Sequence, residues 1–122
     1  MPKQVIIFRS RLRFDADLSE LETAGNRMYE IVSAMPGFLS AKIFNGEGGE
    51  SVNIVEFEDE ETLRTWRDHP EHRDIQERGR QEFFTEYHME ICDSQRSYRF
   101  SVDEGRIERK RSANDVLFTR VC

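Results

Sequence analysis

The sequence predicts an α+β fold in which four strands form one antiparallel sheet and helices cover one of its faces. Three observations support this prediction. β-branched and aromatic residues recur in four short segments, helical periodicities separate them, and the segments follow the order strand–helix–strand–strand–helices–strand. The 122 residues suffice for one domain. We expect this domain to span residues 1–100, followed by a polar tail over residues 101–122 that is partly ordered or docks on a partner subunit.

The first helix is bounded by signals at both ends. Asp17, followed three residues later by Glu20, predicts its N-terminus, because an Asp side chain can accept hydrogen bonds from the first free backbone N–H groups. Apolar residues recur at helical spacing through this segment and form one stripe. Pro36-Gly37 predicts the end, since proline cannot continue a helix and glycine adopts the left-handed turn. Gly25 lies near the stripe, where we expect it to allow close packing on the sheet.

At least three of the four strands carry apolar side chains on both faces. The predicted strands are residues 4–12, 38–44, 51–57 and a long fourth strand from Phe84 toward Phe100. In the first strand, Ile6 and Phe8 point to one face. Val5 and Ile7 point to the other, and the helices can cover only one of the two faces. Leaving four or five such side chains in water costs about 10 kcal/mol, at roughly 1.5–3 kcal/mol each. We therefore expect a homodimer in which a second copy covers this face.

Two short helices are predicted between the third and fourth strands. Asp59 indicates the N-terminus of the first, and Pro70 is favoured at the start of the second. Trp66 lies on the inward face of the first helix. His72 and Gln76 share a face with apolar residues of the second, so these polar groups need a hydrogen-bond partner or a ligand. The methionines expected in the core are Met28, Met35 and Met89.

Composition excludes several classes of function. The net charge of −6 and the pI of about 5.1 disfavour a nucleic-acid-binding protein, and the basic cluster at residues 109–111 is expected to be solvated. No apolar run approaches the roughly 20 residues that span a bilayer, so we expect no membrane segment and a cytoplasmic location. Cys92 and Cys122 match no zinc or redox spacing and are expected to be reduced thiols.

The order of elements and one polar segment resemble the antibiotic biosynthesis monooxygenase family. The resemblance covers about residues 5–100 and includes the closing strand with Phe84-x-x-Tyr87. It also includes the segment Trp66-Arg67-x-His69-x-x-His72-Arg73-x-x-Gln76-x-x-Gly79-Arg80, and the ordered set over forty residues is specific for the fold. The resemblance implies a ferredoxin-like βαββαβ subunit and a homodimer that forms a dimeric α/β barrel. It also implies a small pocket between helices and sheet. Some members oxygenate phenols, quinols or polyketide-derived aromatics without metal, flavin or haem.

The candidate site residues follow from this resemblance and from the inward polar face. His72 is the candidate general base, because an unperturbed pKa near 6.5 suits proton removal near neutral pH; His69 is the second choice. Trp66 and Tyr87 are candidate walls for an aromatic substrate, and Gln76 is a candidate polar contact. Arg80 is the candidate partner of a substrate oxyanion. The resemblance implies no cofactor. No metal is expected, since Pro70 disturbs the His69–His72 spacing and no third ligand is evident beyond Glu71 or His88.

Each of these residues also has a structural interpretation, and two other functions stay open. Trp66 and Tyr87 can simply fill the core, His72 can be a structural histidine, and Arg80 a surface charge. The chain can then be a non-catalytic homodimer that binds a small ligand. A third alternative is haem degradation, for which the family pairs a Trp with a His ten residues later and an Asn on the first strand. Here Gln76 stands ten residues after Trp66, and the first strand has no Asn.

Overall fold

The computed structural model describes residues 2–109 and 118–121, with the backbone alone for Arg109 and residues 118–121. The main elements are β1 (Gln4–Leu12), α1 (Leu18–Ser33), β2 (Phe38–Asn45), β3 (Glu50–Phe57), α2 (Glu60–Arg67), α3 (Pro70–Arg78), β4 (Phe84–Asp93), β5 (Ser97–Ser101), β6 (Gly105–Arg109) and β7 (Phe118–Val121). The side chains of the basic cluster at 109–111, of the apolar residues 116–118 and of Cys122 lie outside the described residues. Within the described part of the chain, no helix is both long enough and apolar enough to cross a membrane.

The first four strands form one antiparallel sheet in the order β2-β3-β1-β4. Ile6 on β1 lies opposite Val55 on β3 and Ile91 on β4, so these side chains share one face. The next residue, Ile7, lies opposite Ile54 and belongs to the other face. The predicted α+β class and the four-stranded antiparallel sheet with helices on one face are confirmed.

The core lies between the helices and the inner face of β1, β2 and β3. Its buried members are Val32, Phe57, Leu63 and Trp66, surrounded by the half-buried Ile6, Met28, Ile31, Met35, Phe38 and Val55. Met28 and Met35 are core residues, as expected. The expectation for Met89 is wrong: its side chain is exposed although it shares the inner face, because the helices do not cover this edge of the sheet.

The helix starts follow the predicted capping signals. The Asp17 carboxylate accepts a hydrogen bond from the backbone N–H of Glu20 at 3.1 Å. The Asp59 carboxylate accepts one from the N–H of Thr62 at 2.9 Å. Each carboxylate satisfies an N–H group that the helix leaves free and also meets the positive end of the helix dipole. These local bonds hold α1 and α2 at fixed positions over the sheet.

The other face of the sheet, which we call the open face, carries apolar side chains that no described element covers. Its central members are half-buried by their neighbours on adjacent strands, whereas Phe44 at the edge is exposed. Because the central side chains are already shielded in part, leaving this face in water costs less than the 10 kcal/mol expected from the sequence. The central apolar positions are Val5, Ile7, Val52 and Ile54.

The long fourth strand ends earlier than the sequence suggested. β4 stops at Asp93, and the backbone N–H of Ser94 donates to the Lys3 carbonyl at 2.8 Å. After residues 94–96 the chain begins a second antiparallel sheet in the order β5-β6-β7, which we call the C-terminal sheet. The predicted strand toward Phe100 is therefore two strands in two different sheets. Period-two alternation continues across the break, which is why the pattern alone did not reveal it.

Gly37 and Gly25 differ in how much their positions depend on glycine. Gly37 has φ +91° after α1, and a Cβ there would collide with the side chain of Thr62. Gly25 lies within α1, and a Cβ there would meet no heavy atom within 4 Å. The expectation that Gly25 allows close packing on the sheet is therefore wrong.

We predict opposite effects for alanine at these two positions. Gly37→Ala should lower the free energy of unfolding by more than about 1 kcal/mol, because strain and the contact with Thr62 add up. Gly25→Ala should raise it by about 0.5–1 kcal/mol, since alanine is the better helix former. Urea denaturation of both variants and the wild type measures the difference. Equal stability of the two variants would contradict this account of the turn.

Candidate functional site

The indole of Trp66 and the imidazole of His72 form a stacked pair. Their ring centroids are 4.0 Å apart and their planes differ by 17°. α2 ends at Arg67 and α3 begins at Pro70, so the chain reverses within a few residues and returns His72 to the Trp66 side chain. The His72 Nδ1 also lies 3.0 Å from the Trp66 carbonyl oxygen. Because a carbonyl only accepts, Nδ1 carries the proton, and the free Nε2 of the neutral ring is a lone-pair acceptor.

The environment of His72 favours its neutral form. Burial of the ring lowers its pKa below the ordinary 6.5, and the hydrogen bond to the Trp66 carbonyl opposes this effect without cancelling it. The positive charge that His69 can carry lowers the pKa of His72 further. At neutral pH the ring is therefore uncharged and able to take a proton at Nε2.

His69 has a structural task in the same turn. Its Nδ1 accepts a hydrogen bond from the backbone N–H of Glu71 at 3.2 Å and so caps the N-terminus of α3. The neutral ring then carries its proton on Nε2, which makes that nitrogen a donor. Its ring centroid lies 6.2 Å from that of Trp66. These contacts favour His72 over His69 as the base.

Arg80 and Tyr87 meet at the other end of α3. Arg80 follows Gly79, where the chain leaves α3 through a single wide turn over residues 79–83. Its Nη1 donates to the Tyr87 hydroxyl oxygen at 3.3 Å. The turn lies close to β4, since a Cβ at Gly79 would stand 2.9 Å from the ring of Phe84. This close approach requires glycine and places the guanidinium beside the first residues of β4.

Two groups of predicted site residues lie at the two ends of α3. His72 and Gln76 are four residues apart on α3 and are both half-buried. Arg80, four residues further along the chain, lies in the wide turn beyond the end of α3 and is exposed. α3 therefore connects the Trp66–His72 pair to the Arg80–Tyr87 pair.

An aromatic cluster that sequence reasoning did not assign to the site lies next to Tyr87. The Phe8 ring centroid is 5.6 Å from that of Phe84 and 5.3 Å from that of Tyr87. Along β4, the side chains on the helix side of the sheet are 39–50% exposed; they are Tyr87, Met89 and Ile91. We call these three residues the β4 margin. They offer apolar and aromatic surface on the helix side of the sheet, at the edge that the helices do not cover.

Asn53 is a second residue that the sequence analysis missed. Its Oδ1 is buried and has no hydrogen-bond partner among the described residues. In the sheet it lies between Phe8 on β1 and Ile43 on β2, on the helix side. A buried polar atom without a partner costs roughly 1–3 kcal/mol, so it indicates a position where a ligand or water can bind. The signal was present in the sequence, because Asn53 occupies the inward register of a strand whose next inward residues are Val55 and Phe57.

A cleft of about 250 Å³ lies elsewhere, at one end of the sheet. Of the predicted site residues it contains only Tyr87; its lining is Arg9, Ser10, Arg11, Glu50, Glu86, Tyr87 and His88. Arg9 pairs with Glu50 at 3.1 Å and Arg11 with Glu86 at 3.0 Å. Sites for aromatic ligands are mostly apolar, so these charges make the cleft less suitable than the surface beside α3.

We predict that His72 titrates below pH 6.5 and that this is visible in the fluorescence of the single tryptophan. The stacked Trp66 senses the charge of His72, so a His72→Gln variant should lose the transition while His69→Gln keeps it. Since the pKa is lowered in the folded state, the associated stability is complete above about pH 6.5 and declines as the pH falls through the folded pKa. Urea midpoints measured across this range should show the decline in the wild type and less of it in His72→Gln. A fluorescence midpoint above 6.5 would contradict the burial argument.

Known proteins share both sequence and fold with this chain. Residues 5–78 match the family model described as antibiotic biosynthesis monooxygenase. YqjZ of Bacillus subtilis (strain 168), described as uncharacterized, is 26% identical over 105 residues, which are 84% of this chain and 90% of YqjZ.

Two solved structures show the same fold. SnoaB, a cofactor-independent oxygenase from Streptomyces nogalater, has a TM-score of 0.65 at 15% identity, with 80% of this chain and 97% of SnoaB covered. Rv0793 from Mycobacterium tuberculosis has a TM-score of 0.66 at 19% identity, with 75% and 94% covered. These identities show the fold alone. Because the family model matches more than half of the chain, the chain belongs to the antibiotic biosynthesis monooxygenase family.

Proposed function

We propose that this protein is a cofactor-independent monooxygenase that acts on a small phenolic, quinolic or other aromatic substrate. The observation that carries this proposal is the Trp66–His72 pair, in which Nδ1–H is held by a backbone carbonyl and Nε2 is left as a base. SnoaB, which shares the fold, is described as a cofactor-independent oxygenase. In this proposal the substrate ring packs beside Trp66 and Tyr87, and Gln76 contacts one of its polar groups.

The chemistry requires removal of a phenolic proton and one molecule of dioxygen. His72 takes the proton, and a ring carbon of the electron-rich anion forms a bond to dioxygen. Loss of water from the resulting hydroperoxide leaves one oxygen atom in a quinone and the other in water. The proton held on His72 Nε2 converts the peroxide anion into this hydroperoxide, and the hydrogen of the oxygenated ring carbon leaves with the departing hydroxide as water. Dioxygen is the oxidant, so this reaction needs no redox group on the protein.

Proton transfer to His72 is unfavourable by itself. A phenol with a pKa of about 10 and a base below 6.5 differ by at least roughly 3.5 units, which corresponds to about 5 kcal/mol. The anion therefore needs stabilisation. Arg80 supplies a guanidinium that is held toward the site by the Tyr87 hydroxyl, and one donor to a developing oxyanion contributes about 3–4 kcal/mol. In this proposal His72 on α3 and Arg80 in the turn after α3 act on the same substrate.

The proposed assembly is a homodimer formed through the open face. Half-buried apolar residues at its centre and the exposed Phe44 at its edge provide the surface for a second sheet. When the open faces of two copies pack against each other, the apolar side chains of both open faces are buried. The candidate site of each copy lies on the opposite side of the sheet, so the assembly leaves it accessible.

We predict oxygen uptake with phenols and hydroquinones that depends on His72. His72→Ala should lower kcat/KM by about 10²- to 10⁴-fold, the usual contribution of a general base. The wild-type rate should also fall as the pH drops below about 6.5, because the neutral imidazole is the active form. Arg64→Ala removes an exposed arginine that pairs with Glu60 and should have no effect. Oxygen-electrode measurements with an enzyme-free blank provide the rates.

The outcomes of this assay separate the alternatives. Turnover that His72→Ala leaves unchanged would remove His72 as the base. Saturable binding of the aromatic panel without oxygen uptake would instead support a non-catalytic ligand-binding protein.

We also predict that Ile54→Lys gives a monomer. A lysine at the centre of the open face would bring two like charges into a dry interface, which costs several kcal/mol. Ile43→Lys introduces the same side chain on β2, on the helix side of the sheet where it is exposed, and should leave the dimer intact. Light scattering coupled to gel filtration at micromolar concentration distinguishes the masses. A wild-type monomer, or a dimeric Ile54→Lys variant, would contradict the proposed interface.

A further inference from the structure

The described side chains of the C-terminal sheet form no buried core. In residues 97–108 no side chain is buried, and three large apolar side chains are 49–91% exposed; they are Tyr98, Phe100 and Val102. The strand register places Tyr98 and Phe100 on the same face as Arg106 and Glu108. A small sheet with an exposed apolar face gains little from folding alone. Its aromatic face therefore needs a surface to pack against.

The charge of the C-terminal segment differs from that of the remaining chain. Residues 94–122 contain seven Lys and Arg against four Asp and Glu, a net charge of +3. Residues 1–93 contain eleven against twenty, a net charge of −9. Arg106 and Arg96 hold their guanidinium groups 4.0 and 4.8 Å from the centroid of the Tyr98 ring, so positive charge accompanies the aromatic face. The surface that this face complements is apolar and acidic.

The β4 margin has these properties. Tyr87, Met89 and Ile91 are exposed apolar side chains and share their face with Asp93, while Glu86 and Glu90 lie on the opposite face of the same edge strand. Among the described strands, β4 pairs only with β1 and is an edge of its sheet. The chain's own C-terminal sheet, joined to β4 through residues 94–96, leaves the margin exposed. A second copy of the chain presents the same basic aromatic face without this short connection.

We propose that the C-terminal sheet of one copy docks on the β4 margin of a second copy. Tyr98 and Phe100 then cover Met89 and Ile91, and the docked sheet forms a wall of the partner's site beside Arg80 and Tyr87. A second copy is favoured over a foreign protein because the acidic body and the basic segment belong to the same sequence. β4 also borders the open face, so the docked sheet continues the proposed dimer interface. The inference rests on the proposed dimer and not on the oxygenase reaction.

Disulfide trapping between two differently tagged chains tests this contact. Both chains carry Cys92→Ser and Cys122→Ser; one adds Phe100→Cys and the other Met89→Cys. Under mild oxidation we expect a disulfide that joins the two tags. The matched control replaces Phe100→Cys with Phe14→Cys, a fully exposed phenylalanine in the β1–α1 connection, and should give only background. Trapping no greater than this control overturns the proposal, as does a purely intrachain disulfide in a Met89→Cys, Phe100→Cys double variant.

A second measurement tests the contact without cysteines. Phe100→Asp should raise the dissociation constant of the dimer by about tenfold or more, since it removes an aromatic anchor and adds repulsion. Phe14→Asp should leave it unchanged, and circular dichroism establishes that both variants fold. An unchanged dissociation constant for Phe100→Asp overturns the proposal. Absence of oxygen uptake would contradict the proposed oxygenase function but would not change the disulfide trapping or the dissociation constant. Failure of the proposed function can therefore be distinguished from failure of the proposed docking contact.

Discussion

The packing of Trp66 against the inner face of the sheet is the contact on which the candidate site depends. Trp66 is buried with Phe57, Leu63 and Val32, and so fixes the end of α2 over the sheet. From that point His69 caps α3, and the first turn of α3 brings His72 back onto the indole. The same buried ring therefore stabilises the core and orients the proposed base. A replacement of Trp66 would affect stability and chemistry together, which makes it a poor probe of either.

Local signals predicted the elements well because they act over a few residues. The Asp17 and Asp59 carboxylates accept hydrogen bonds from backbone N–H groups three residues away. Pro70 is the first residue of α3, and the preceding His69 caps the N-terminus of that helix. The Trp66–His72 proximity was not predicted, since a stack depends on the angle at which two helices meet. Gly25 and Met89 were misjudged for a related reason: periodicity states which face a residue occupies, but not whether another element covers that face. For Asn53 the sequence does indicate that the side chain points inward. That its Oδ1 has no hydrogen-bond partner among the described residues became evident only from the structure.

Burial of His72 has two opposing effects on its proposed role as a base. Burial keeps His72 neutral and thus able to accept a proton, but burial also lowers the pKa of His72 and weakens it as a base. In the proposed reaction Arg80, which lies in the turn beyond the end of α3, offsets this weakness. There it stabilises the anion without raising the energy of the neutral ground state, and its hydrogen bond to the Tyr87 hydroxyl limits the reorganisation that is needed.

The uneven distribution of charge connects the assembly to the site. An acidic body of −9 opposes close approach of a second copy, whereas a C-terminal segment of +3 offsets part of that repulsion where the two meet. The offset is local and acts through exposed groups, so salt screens it within about 10 Å at 0.1 M ionic strength. The proposed apolar contact between the aromatic face of the C-terminal sheet and the β4 margin is not screened in this way. In the proposed dimer, electrostatics thus selects which surfaces meet, and the burial of aromatic side chains beside Arg80 and Tyr87 determines how firmly they stay together.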